Sequence, residues 1–72
     1  MPSFPERLKE LRNSKNITQK HMSAYLSITE QAYAKYEYAM REPNHETTIK
    51  LADYFDVSLD YLLGRTNNPK RY

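Results

Sequence analysis

Cysteine and tryptophan are absent from this chain, and glycine occurs once, as Gly64. Without cysteine there can be no disulfide framework and no thiolate metal site. A single glycine cannot build a phosphate-cradling loop, and no G-x-S-x-G nucleophile motif is present. The two histidines, His21 and His45, have no second ligand at i+3 or i+4, so no zinc pattern forms. Asp56 and Asp60 stand at i and i+4 without the ligand run of a calcium loop. No apolar stretch approaches the ~20 residues of a membrane span, and Met1–Glu10 has no signal-peptide pattern. The chain is therefore expected to be no enzyme, to need no cofactor or metal, to stay off membranes and to reside in the cytoplasm.

What is present fits one small domain. Seventy-two residues bury a single, marginal core, which association in pairs would reinforce. The net charge of +2 is too small to identify a nucleic-acid partner by itself. Its layout is uneven: residues 1–16 are net positive through Arg7, Lys9, Arg12 and Lys15, and residues 43–64 are net negative through Glu46, Asp53, Asp56 and Asp60. Residues 65–72 return to positive with Arg65, Lys70 and Arg71. Such a layout suits a protein with one phosphate-facing side, although a solvated surface is the simpler reading of charge alone.

The apolar spacing is helical throughout. Phe4, Leu8 and Leu11 fall at i, i+4 and i+7, with Pro5 suited to a first turn, and predict a helix from Phe4 to about Lys15 that Asn16 closes. From Thr18 to Glu37 two short helices meet at a tight corner, Leu26–Ser27–Ile28–Thr29. Thr18 and Thr29 are placed as N-caps, and Met22, Leu26, Ile28, Tyr33 and Tyr36 supply the inward faces. Helix, short turn, helix is the geometry that lays a second helix into a DNA major groove. Pro43 stops the third helix, and Asn44 caps a fourth with a buried stripe of Ile49, Ala52 and Phe55, joined by His45. Ser58 caps a brief fifth helix that Gly64 ends. The expectation is an all-α, five-helix domain over residues 1–64, followed by a short, loose basic tail at 65–72.

With those segments in view the chain resembles the lambda-repressor-like family of helix-turn-helix proteins, the Xre and Cro type. The resemblance is carried by PERLKELR (5–12), ITQ (17–19), KYE (35–37), REP (41–43) and KLADYFDVSLDYLLG (50–64), in order over about sixty residues. It implies a sequence-specific regulator of transcription, acting as a repressor by occupying a palindromic operator as a homodimer on double-stranded DNA. Position by position, it implies that Glu30, Gln31, Ala34 and Lys35 read bases. Gln19, at the start of helix 2, would meet a phosphate or brace the first residues of helix 3, and Thr29 would cap helix 3 and touch phosphate. Arg12 and Glu37 match a pair that ties helix 1 to the end of helix 3. Lys20, Tyr38 and Arg41 join the backbone contacts on charge, hydroxyl chemistry and position. The dimer surface is expected on helix 5, at Leu59, Tyr61, Leu62 and Leu63. The small size resembles regulators of bacterial mobile elements and phages, associated with the nucleoid. With no small-molecule sensor domain in the chain, control would fall to concentration, proteolysis or a regulatory protein partner.

Four positions depart from the family pattern: Ser27 replaces the glycine of the helix 2–3 corner, Tyr38–Ala39 the Asn-Gly after helix 3, and His45 a leucine early in helix 4. Together with the carboxylate of Glu30, which phosphates repel, they keep open a second reading: a protein-interaction module, antitoxin-like or anti-repressor, with weak DNA binding. Seven tyrosines also raise stacking on single-stranded nucleic acid. Spacing and apolar neighbours favour core or dimer packing for Tyr33, Tyr36, Tyr54 and Tyr61, leaving Tyr25 and Tyr38 as surface candidates.

Overall fold

A computed structural model describes residues 2–71; Met1, and Tyr72 at the end of the expected tail, lie outside the described residues. Five helices follow in order: α1 (Phe4–Ser14), α2 (Gln19–Leu26), α3 (Glu30–Glu37), α4 (His45–Phe55) and α5 (Leu59–Leu62). The all-α, five-helix expectation holds, with no strand among the described residues. None of the helices is long and apolar enough to cross a membrane.

Every helix begins on a short polar side chain. The oxygens of Thr18, Thr29, Asn44 and Ser58 accept from the backbone N–H three residues on, at 2.8–3.1 Å. Each satisfies one donor that the first turn leaves without a partner. α1 uses a cap not expected from the spacing: the Glu6 carboxylate accepts from both the N–H and the hydroxyl of Ser3. Those hydrogen bonds, the side-chain one foremost, hold the Glu6 carboxyl below the usual range.

Every helix also ends the same way. Asn16, Ser27, Ala39, Asp56 and Gly64 all take positive φ, between 54° and 80°. The next residue's N–H reaches back to the carbonyl five positions earlier, as in Ile28 to Ser23 at 3.0 Å and Met40 to Lys35 at 2.9 Å. This is the Schellman closure, which satisfies carbonyls that the last turn strands. Ser27 and Ala39, at the places where the family pattern has glycine, keep the left-handed conformation regardless of their Cβ, at a cost of roughly 1 kcal/mol each. Gly64 is less replaceable, because a Cβ there would collide with the Pro2 carbonyl.

Leu8, Met22, Tyr33, Leu51 and Leu62 are fully buried at the centre, surrounded by Tyr36, Ala52, Phe55 and Val57. Phe4, Leu11, Ile17, Leu26 and Ile28 pack around them. The α4 stripe differs from the expected one. Thr48, Leu51, Ala52 and Phe55 form the buried face, whereas Ile49 is 46% exposed and His45 is exposed. The inward residues follow i, i+3, i+4, i+7 from Thr48, which turns Ile49 about 100° away.

The tail, expected to be loose, folds back along α5. Pro69 accepts from the Ser58 N–H at 3.0 Å. Asn67 Oδ1 accepts from Arg7 Nη2 at 3.2 Å. Arg71 donates to Asp53 and Asp56. The basic tail thus lies on the acidic segment, and the two charge blocks of the sequence largely cancel in space. Arg7 is buried with its guanidinium 3.8 Å from the centre of the Tyr61 ring. That contact takes one face of Tyr61, and Leu62 has no exposure at all, so Leu62 drops out as a dimer contact. Leu59 and Leu63 remain outward, 40% and 44% exposed.

Candidate nucleic-acid interface

α2 and α3 are set at their corner by Ser27 in the left-handed conformation and by Thr29, which caps α3. The α3 residues divide cleanly by angle. Tyr33, Tyr36 and Glu37 are buried. Glu30, Gln31, Lys35 and Tyr38 are exposed and Ala34 half-buried. At 3.6 residues per turn these five fall within an arc of about 140°. All four base-reading candidates therefore share one outward face, with Tyr38 a turn beyond Ala34. Glu30, Gln31 and Ala34 line a shallow hollow whose fourth wall is Gln19 of α2. Lys20, Thr29 and Arg41 are exposed, and Arg41 borders a separate hollow with Ser3, Phe4 and Pro5 at the start of α1.

A buried polar cluster holds α3 from behind. Arg12 Nε and Nη2 donate to Glu37 Oε2 and Oε1 at 2.6 and 3.0 Å, and Arg12 Nη1 donates to the Ile17 carbonyl at 2.8 Å. The Glu37 side chain has no exposure and that of Arg12 only 12%. Gln19 Nε2 adds a third bond to Glu37, at 3.2 Å. One carboxylate therefore ties α1, the approach to α2, and α2 itself to the last residue of α3. Burial pulls the Glu37 carboxyl up, but hydrogen bonding from Arg12, with that from Gln19, outweighs it and leaves the group below the ordinary glutamate value. The Arg12 guanidinium is raised in turn, chiefly by its bond to Glu37. Burial, followed by the nearby Glu37, pushes the Tyr33 hydroxyl well above the usual tyrosine range; it lies against the pair without a well-aligned hydrogen bond.

Gln19 stands beside the first residues of α3, as one of its two expected places has it, and its amide nitrogen also donates to Glu37 at the end of that helix. Among the tyrosines, Tyr38 is 59% exposed and free to reach outward. Tyr25 is committed: its hydroxyl donates to the Lys50 carbonyl at 3.1 Å and its ring lies 4.7 Å from that of Tyr54. The Tyr54 hydroxyl also meets His21 Nε2 at 3.0 Å, a link between α2 and α4 that spacing alone could not reveal.

The arrangement matches known proteins along nearly its whole length. The helix-turn-helix family matches residues 8–62. An uncharacterized HTH-type transcriptional regulator of Bacillus subtilis (strain 168), YqaE, is 46% identical over 67 residues, covering 93% of this chain and 58% of YqaE. A second from that organism, the SPbeta prophage-derived regulator YonR, is 45% identical over 64 residues, covering 89% of this chain and 59% of YonR. The chain thus spans less than two thirds of either relative. The crystal structure of the P22 c2 repressor in complex with a synthetic operator superposes with a TM-score of 0.82 at 26% identity, covering 92% of this chain and all of that one. These matches and the five-helix geometry agree: the chain belongs to the lambda-repressor-like, Xre/Cro-type helix-turn-helix family.

Proposed function

We propose that this chain is the DNA-reading unit of a sequence-specific transcriptional repressor that occupies a palindromic operator as a homodimer. The observation that carries the reading is the single outward face of α3, where Glu30, Gln31, Ala34 and Lys35 stand together above a buried lock. An α-helix with its side chains is about 10–12 Å across, which suits a major groove about 12 Å wide. Gln31 can pair with adenine through two hydrogen bonds, Lys35 can donate to guanine, Glu30 can accept from cytosine N4, and Ala34 can meet a thymine methyl. Thr29, Lys20 and Tyr38, with Arg41 beyond the end of α3, would supply phosphate donors, which set register rather than sequence. Dimerisation through the outward Leu59 and Leu63 would place two recognition helices about 34–36 Å apart, on successive major grooves. The P22 c2 repressor, solved on an operator with the same architecture, supports this reading.

Selection of duplexes from a randomised pool tests it. An inverted repeat is expected, with binding that weakens steeply as salt rises, because phosphate neutralisation releases counterions. Folded protein that enriches nothing would overturn the proposal in favour of a protein-interaction module.

A further inference from the structure

α5 is a single turn of four residues, and Leu59 and the capping Leu63 leave it on one side. One turn is too short to hold its own direction, so whatever grips it from behind decides where those two leucines point. At 3.6 residues per turn, Tyr61 lies about 180° around the helix from the midpoint of Leu59 and Leu63. Its ring rests on the guanidinium of Arg7 from α1. Arg7 is buried, yet it forms no ion pair among the described residues, and its Nε has no hydrogen-bond partner there. A bond from Nη2 to Asn67 Oδ1, at 3.2 Å, joins it to the tail. The same tail reaches the start of α5, where the Pro69 carbonyl accepts from the Ser58 N–H, and Arg71 pins it to the end of α4. An arginine thus stands behind α5 as Arg12 stands behind α3, but it meets a neutral amide where Arg12 meets a carboxylate.

We propose that Arg7 and Asn67 are positioning residues for the dimer face: acting through Tyr61 they align α5, so that docking of residues 66–71 controls how tightly two copies associate. The inference rests on the homodimer reading above and deepens it, because it assigns the regulation of that contact. A neutral amide holds a guanidinium less firmly than a carboxylate does, and the Arg71 pairs are open to water and salt. The tail is therefore released easily. Its departure deprives Arg7 of a hydrogen bond and Ser58 of its backbone partner, and Tyr61 no longer fixes the turn it belongs to. A two-fold dimer needs α5 aligned in both copies, so its apparent dissociation constant rises as the inverse square of the aligned fraction. Base reading is untouched, since α3 is held separately by the cluster around Glu37.

Sedimentation equilibrium on the intact chain and on Asn67→Ala, Asn67→Asp and Leu63→Ser decides the point, with thermal unfolding followed in parallel. Asn67 is exposed, so its variants should keep the fold. If Asn67→Ala leaves α5 aligned about one third of the time, it should dimerise about nine-fold more weakly. Asn67→Asp offers Arg7 a carboxylate and should dimerise at least as tightly as the natural chain. Binding to a duplex that holds a single half-site should be the same for all three, whereas binding to the inverted repeat should follow dimer strength. Dimers of natural strength with Asn67→Ala would overturn the inference. So would Asn67→Asp dimers as weak as those of Asn67→Ala, or equal losses on half-site and full repeat. Leu63→Ser probes the reading beneath it and should weaken association. A natural chain that is monomeric on and off the repeat, or a dimer that Leu63→Ser leaves intact, is a different failure: it removes the α5 dimer itself, and this inference with it.

Discussion

Arg12 and Arg71 each reach two carboxylate oxygens, one behind α3 and the other on the surface at the end of α4. Arg12 meets both oxygens of one buried glutamate, with a backbone carbonyl taking a third bond. Arg71 spans Asp53 and Asp56 at the surface, where the three side chains are 41%, 54% and 89% exposed. The chemistry is shared and the surroundings are opposite. Water and salt screen the surface cluster, whose members lose little when separated. The buried cluster cannot lose one member without stranding another away from water. The buried cluster thus fixes α3, whose tilt would displace Glu30, Gln31, Ala34 and Lys35 together, whereas the Arg71 cluster adds little to the backbone bond that anchors the tail at Ser58.

Removing the buried partner should have the largest effect. Glu37→Ala is expected to cost about 3–5 kcal/mol in urea or thermal unfolding, because it leaves the Arg12 guanidinium uncompensated. Acid should weaken the same lock in the natural chain. The Glu37 carboxyl lies below its ordinary value of 4.5 when folded, so the unfolded chain binds more protons as pH falls. The stability contributed by Glu37 is complete above that value and disappears as pH drops through the folded one. Comparing unfolding curves of the natural chain and Glu37→Gln across this range isolates the contribution, since Glu6 titrates in both.

On the outer face of the same helix a substitution should leave the fold alone. Lys35→Ala is expected to relax preference at one base step by about 1–3 kcal/mol with an unchanged melting temperature. Equal loss on all duplexes would remove Lys35 from base reading. Ala39→Gly should raise stability by up to about 1 kcal/mol, because it relieves a Cβ in a left-handed turn while adding unfolded-state freedom. A decrease in calorimetry would mean that the Ala39 methyl has a packing role. Smallest of all, Arg71→Ala should shift unfolding only slightly, and the shift should vanish in high salt. A large, salt-independent loss would erase the contrast between the two arginines.

The helices and most of their caps were legible in the chain because capping is local: Thr18, Thr29, Asn44 and Ser58 bond within three residues of themselves. The division of α3 into a buried and an outward side follows from periodicity alone, as does the placement of Glu30, Gln31 and Lys35 together. Periodicity was less reliable in α4, where Ile49 and Leu51 are equally apolar and only packing against the other helices chose Leu51. Ser27 and Ala39 mislead in the opposite way. Side-chain statistics ask for glycine there, but the backbone hydrogen bonds of the closing turn outweigh the cost of a Cβ.

Residue types, spacing and local hydrogen bonding were enough to specify five helices, their order and the polar face of the third. Tertiary packing was needed to turn the Gln19 amide toward Glu37, to bury Leu62, to lay Arg7 on Tyr61 and to fold the basic tail onto the acidic end. The difference is one of distance along the chain. Contacts within a turn are set by the few residues that make them, whereas Gln19–Glu37 and Arg7–Asn67 join positions 18 and 60 apart. Such pairs are brought together by how whole helices cross, which depends on the shape of the entire core.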